Sequence, residues 1–179
     1  SFGFAKSHAA AFARTAYESS FLKLFYPAQF LVGLINAQPM GFYPVEVLVN
    51  DAKRHGVAVL PVDINGSSYR TTTEWIGRTG EPLPDGCGIA ARPEPVVSSA
   101  CVVPSAAARE RWTPEVTLGW GVRLGLRLVK GIGEQHEALL DAERDRGTYA
   151  SLADVVERTG LPEEVLERLI RSGAMDSLG

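Results

Sequence analysis

Cysteine is nearly missing from this sequence. Cys87 and Cys101 are the two present, they stand far apart, and neither a C-x-x-C nor a histidine pair at ligand spacing accompanies them. Neither a zinc site nor a disulfide framework is indicated, and a reduced, cytoplasmic setting fits. Histidine is scarce too: His8, His55 and His136 have no evident nucleophile partner, so no Ser-His-Asp or Cys-His arrangement stands out. Excess positive charge is lacking, since the formal net charge is −3. Duplex binders usually carry a basic patch or stripe, so any nucleic-acid contact has to be local. Long apolar runs are absent as well. The most apolar stretch, Phe21 to Asn36, is broken by Lys23, Pro27 and Gln29, and nothing resembles a signal peptide or a membrane span. The chain opens without a methionine, which is expected of a fragment of a longer polypeptide. With 45% hydrophobic and 22% charged residues it has the composition of an ordinary soluble globular protein and not of a disordered tail.

What is present begins with Lys6-Ser7-His8, a cation, a hydroxyl and an imidazole at the start of a small-residue helix. Ser7 is placed to be an N-cap, and a helix start offers unpaired N–H groups and a positive dipole end to an anion. A phosphate site and an ordinary capped helix both remain open on this pattern. Apolar positions from Ala9 to Phe25 recur at helical spacing and predict a core-facing helix from Ser7 to Phe25. Pro27 turns the chain into a second, mostly buried helix from Ala28 to Ala37, and the aromatics Phe21, Phe25, Tyr26 and Phe30 read as helix–helix packing. A third helix is predicted from Pro44 to His55, closed by Lys53-Arg54-His55-Gly56, where the cations complement the dipole. Val57 to Val62 follows as a short strand, with Asn65-Gly66 the usual hairpin dipeptide. Between Thr71 and Thr117 periodicity fails and six prolines fall, which predicts a loop-rich insertion or linker. The alternation at Val96-Val97 and Cys101-Val102-Val103 allows a short strand there.

Order returns at Gly121. Val122, Leu124, Leu126 and Leu128 alternate with Arg123, Gly125 and Arg127, the pattern of a half-buried strand with one basic face. It leads into Val129-Lys130-Gly131-Ile132-Gly133-Glu134 and a helix from about Gln135 to Arg144. Two glycines around an apolar residue match the turn of a helix-hairpin-helix element, whose backbone N–H groups can approach a phosphate. A purely structural turn is equally compatible. A dinucleotide fold is rejected: Gly119, Gly121 and Gly125 have the wrong spacing and sit within a strand pattern. Two short helices end the chain, the first opened by a capping box at Ser151-Leu152-Ala153-Asp154, the second by Pro162-Glu163-Glu164.

Phe4-Ala5-Lys6-Ser7-His8-Ala9-Ala10-Ala11-Phe12 resembles the "F-x-K-S-H-A-x-x-Y/F" stretch in the fingers of bacterial C-family DNA polymerases, the family of the polymerase III alpha subunit. Leu34-Ile35-Asn36-Ala37-Gln38-Pro39-Met40-Gly41-Phe42-Tyr43 is closer to the error-prone, damage-tolerant branch than to the replicative one. The helix ending at Gly56 with its "V-x-V-x-P-x-D-I-N" sequel, and the closing stretch from Tyr149 to Gly179, resemble the same family, in the same order. The resemblance spans everything but the Thr71 to Thr117 stretch.

It implies a mainly α fold with a small β element: fingers helices over residues 1–70, the insertion over 71–117, and a strand plus helix-hairpin-helix-like helices over 118–179. It implies template-primer DNA and deoxynucleoside triphosphates as ligands, and a sliding clamp and damage-response proteins as partners. Lys6, Ser7, His8 and Arg14 would stand near the triphosphate of the incoming nucleotide. Arg123, Arg127 and Lys130, with the amides around Gly131 and Gly133, would touch DNA phosphates without reading sequence. The aspartates of the chain sit singly, and none matches the palm motif of that family, so catalytic Mg2+ would be held by residues outside this chain and the chain alone is expected to be inactive. The alternative is a non-catalytic helix-hairpin-helix module that binds DNA or a partner protein.

Overall fold

The structure of the chain is a computed structural model that describes residues 5–41, 43–76 and 119–178. The possible strand near Val96 to Val103 and most of the insertion lie outside the described residues. Helix α1 runs Lys6–Phe25, α2 Pro27–Asn36 and α3 Val45–Arg54. Strands β1 (Ala58–Leu60), β2 (Thr72–Trp75) and β3 (Trp120–Arg123) follow, then α4 (Glu137–Arg146), α5 (Leu152–Thr159) and α6 (Glu163–Arg171). The chain is mostly helical with one small sheet, as the sequence implies.

Sheet order is β1-β3-β2, with β1 parallel and β2 antiparallel to β3. β2 lies inside the stretch whose periodicity fails in the sequence, because all four of its residues are half-buried and none alternates. On one side, Leu31 and Ile35 of α2 and Val49 of α3 pack against Val57, Val59 and Val122. A second core joins Leu140, Val155, Leu161, Val165 and Leu169 from the C-terminal helices to Ile64 and Tyr69.

Residues 63–71 connect the two cores. Asn65-Gly66 does not close a hairpin between neighbouring strands; instead Asp63 Oδ1 accepts the amides of Asn65 and Gly66, a side-chain-closed turn. Asn65 then pairs with the backbone of Tyr149, donating Nδ2 to its carbonyl at 3.1 Å and accepting its amide at 2.6 Å. Asn36 does the same at Thr71, with bonds of 2.8 and 3.1 Å. Ile64 donates its amide to Ala174 O at 2.7 Å. Side-chain amides thus satisfy backbone groups that no strand partner reaches.

The strand expected from Gly121 to Leu128 ends at Arg123. Beyond it the backbone runs along residues 68–71, with Leu126 N–H on Ser68 O, Arg127 N–H on Tyr69 O and Gly125 N–H on Thr71 Oγ1, and turns into a 3-10 segment at Leu126–Leu128. Gly125 is required at this crossing: a Cβ there would stand 2.5 Å from Thr71 N and 2.6 Å from Tyr69 O. Those neighbours are backbone and cannot rotate away.

Helix α1 departs most from expectation. Its N-cap is Ala5, without a side-chain cap bond, so Ser7 lies inside the first turn. No residue of α1 is buried, with Phe12 and Tyr17 63% and 73% exposed. It is therefore not a core-facing helix in this chain: its apolar residues follow helical spacing, but among the described residues only α2 offers it a substantial surface. Phe21 stacks near Phe25 at 4.6 Å between ring centroids and Tyr26 at 6.2 Å, at a corner where all three remain partly exposed.

Gly125→Ala is expected to destabilise the chain by about 1–3 kcal/mol, since the clash is with fixed backbone. Urea unfolding measures it; a change within about 0.5 kcal/mol, the usual surface value, would contradict the crossing.

Candidate nucleic-acid interface

Four arginines of the described chain direct their guanidinium groups at backbone carbonyls, and this decides what is left for an anion. Arg123 is buried, forks onto Glu74 with Nε–Oε2 at 2.8 Å and Nη2–Oε1 at 3.1 Å, and donates Nη1 to Pro61 O at 3.2 Å. Arg127 donates to Asn36 O and Gln38 O at 3.1 and 3.0 Å. The basic face expected of this stretch is not an outer face: both guanidinium groups turn inward, Arg123 tying β3 to β2 and to Pro61, and Arg127 tying the 3-10 segment to the end of α2 and its exit.

Arg158 is the third. It reaches Glu143 O at 2.7 Å, Gly147 O at 3.1 Å and Thr148 O at 3.3 Å, lies 4.2 Å from the Tyr149 ring centroid, and pairs with the buried Glu143 carboxylate at 2.9 Å. Glu143 also accepts from Arg146 at 2.6 Å. Hydrogen bonds from Arg158 and Arg146 hold the Glu143 carboxyl below the ordinary 4.5. This cluster fixes α4 against α5, at whose start half of the expected capping box forms: Ser151 Oγ accepts the Asp154 amide at 3.2 Å, while Asp154 Oδ2 accepts the Ala150 amide at 3.0 Å in place of that of Ser151. Sequence reading did not single out Arg158 or Glu143, because their lone charges on two helices carry no motif.

The Gly131-Ile132-Gly133 turn follows the 3-10 segment at Leu126–Leu128 and precedes another at Glu134–His136, which runs on into α4. Ile132 is buried and its amide returns to Val129 O at 3.1 Å, while the Gly133 amide donates to His136 Nδ1 at 3.1 Å. Gly131 has φ +99°, a left-handed conformation that favours glycine. Lys130 is exposed at the tip, and Glu134 and Gln135 bring amides that a helix start leaves without intrahelical acceptors. A second helix-turn-helix passage, α5 to α6 through Gly160-Leu161-Pro162, packs beside the first. Its outgoing helix begins with Glu163 and Glu164, which disfavour a phosphate there.

Lys6, Ser7 and His8 are together in the first turn of α1, all exposed. Arg14 is two turns along and bonded to Glu18 at 2.8 Å, so part of its charge is offset on the same helix. The described residues contain no group of three His, Cys, Asp or Glu side chains arranged to hold a metal ion, and no helix among them is long and apolar enough to cross a membrane.

Two turns of this kind, each leading into a helix, define the class. Residues 56–179 match the family model described as the helix-hairpin-helix motif, and the chain belongs to that family. Over 99% of its length it is also similar to larger proteins: 41% identical to the error-prone DNA polymerase of Symbiobacterium thermophilum, 40% to that of Burkholderia mallei, and 41% to error-prone DNA polymerase 1 of Rhizobium meliloti. The chain spans 15%, 14% and 14% of those relatives.

Because the folded-state pKa of Glu143 is depressed, the unfolded chain binds more protons between the two values. The stabilisation is complete above pH 4.5 and is lost as pH falls through the lower folded value. Glu143→Gln should be less stable at neutral pH and show a shallower acid dependence, read by urea unfolding from about pH 3 to 6. An unchanged acid dependence would contradict the role given to Glu143.

Proposed function

We propose that the chain is part of a DNA-directed DNA polymerase of the error-prone kind, acting in damage-induced, translesion synthesis in the cytoplasm. The observation that carries this reading is the match over 99% of the chain to proteins named for that activity, at 38–41% identity. The helix-hairpin-helix turn supports DNA as a ligand, since such a turn brings backbone amides and a lysine to a phosphate without reading bases.

In this reading the first turn of α1 faces the triphosphate of an incoming deoxynucleotide. Lys6 and the amides at the helix start offset charge as pyrophosphate leaves, Ser7 and His8 add donors, and Arg14 stands further out. Template-primer DNA lies on the first hairpin, held by Lys130 and by the amides of Glu134 and Gln135 that follow the Gly131-Ile132-Gly133 turn, since the Gly133 amide is itself bonded to His136. Arg123 and Arg127 act on that contact through the frame they brace. Mg2+, which would assist nucleotidyl transfer by stabilising charge on the reacting oxygens, would be held by carboxylates outside this chain. A sliding clamp and damage-response proteins are the further partners of such an enzyme.

In the polymerase that contains this chain, Lys6→Ala should lower single-nucleotide incorporation by roughly tenfold to a hundredfold, the loss of one charged hydrogen bond, and leave template-primer affinity unchanged. Rapid-quench incorporation and equilibrium DNA binding measure the two. Equal losses in both would contradict a nucleotide-facing α1.

A further inference from the structure

The α-carbon of Gly131 does not face open solvent. A Cβ there would lie 2.8 Å from Arg168 Nη1 and 3.1 Å from Val165 Cγ2, so α6 packs against one side of the first hairpin, whose Lys130 and Gly131 stay exposed. Arg168 Nη1 donates to Lys130 O at 3.0 Å, and Nη2 pairs with Glu164 one turn earlier on α6. The first hairpin therefore has two cations beside it: Lys130 on its tip, and Arg168 brought by the second hairpin. Their surroundings make them unusual. From residue 119 to 178 there are eight Lys or Arg against eleven Asp or Glu, and most of the arginines are paired internally.

We propose that Arg168 is a second phosphate-binding cation of the first hairpin, and that Glu164 occupies the position of the DNA phosphate until DNA displaces it. The proposal rests on the reading that this hairpin touches DNA. The bond to Lys130 O keeps the guanidinium oriented at the hairpin while Nη2 exchanges one oxyanion for another; carboxylate and phosphate present similar oxygens to the same fork. The Glu164 side chain is 73% exposed, and an exposed i,i+4 pair is weak and screened by salt, so exchange is easy. Released, Glu164 still lies in the first turn of α6, where its charge suits the helix dipole.

The test is fluorescence anisotropy of a labelled primer-template duplex with the full chain across a salt series, with unfolding midpoints measured alongside. Glu164→Gln should tighten binding by roughly threefold to tenfold, as a competing charge is removed without touching Arg168. Arg168→Ala should weaken binding and reduce the salt slope by about one. An arginine that only braces the hairpin would lower the midpoint and leave the slope unchanged. Lys130→Ala separates the two levels of inference. If it leaves binding unchanged, the hairpin is not the DNA contact and both readings fall. If it weakens binding while Glu164→Gln does not tighten it, or Arg168→Ala keeps the parental slope, only the proposal for Arg168 and Glu164 is overturned.

Discussion

Much of this chain depends on arginine donating to backbone carbonyls. A fold with a three-stranded sheet of three- and four-residue strands, short 3-10 segments and tight turns leaves many carbonyls without a regular partner. Arg123, Arg127, Arg158 and Arg168 supply donors to Pro61, Asn36, Gln38, Glu143, Gly147, Thr148 and Lys130. Five N–H donors in a rigid fork let one side chain fasten several segments at once. Asn36 and Asn65 complete the scheme from the other direction, each pairing with both polar groups of one backbone residue.

This use of arginine has a consequence for recognition. Arg123, Arg127 and Arg158, engaged by carbonyls and by carboxylates within the fold, are poorly placed to neutralise phosphates, whereas the carboxylate partner of Arg168 is exposed; the C-terminal portion is acidic besides. In the proposed reading, contact with a polyanion falls, among the described residues, to small places: the tip of the first hairpin, with Lys130 and its neighbour on α6, and the first turn of α1. Such contacts would position a duplex without specifying sequence.

The helices, their order and the small β element were legible in the sequence because capping residues, prolines and apolar spacing are local signals. Ser151 caps the Asp154 amide as its spacing implies, although Asp154 reaches the amide of Ala150 rather than that of Ser151, and Pro27 opens α2 where expected. The inward turn of Arg123 and Arg127 was not legible: strict alternation looks the same whether the polar face meets water or a carbonyl. Nor was the exposure of α1, since periodicity marks a helix but does not supply the surface that covers it. Gly125 carried a signal read only as an exclusion; its close approach to residues 69–71 is a long-range fact. At the hairpin, the turn through Gly131 and Gly133 follows from the motif, while Arg168 sits on a helix whose charge pattern resembles any solvated face.

The salt dependence of duplex binding by the unmodified chain tests most directly the view that the arginines of its described C-terminal portion are largely engaged within the fold. With Lys130 and Arg168 as the principal phosphate contacts, the logarithm of the binding constant against the logarithm of salt concentration should fall with a slope of roughly −2. A slope of about −5 or steeper would mean that the internally bonded arginines, or a broad basic face, meet the DNA, and would contradict it.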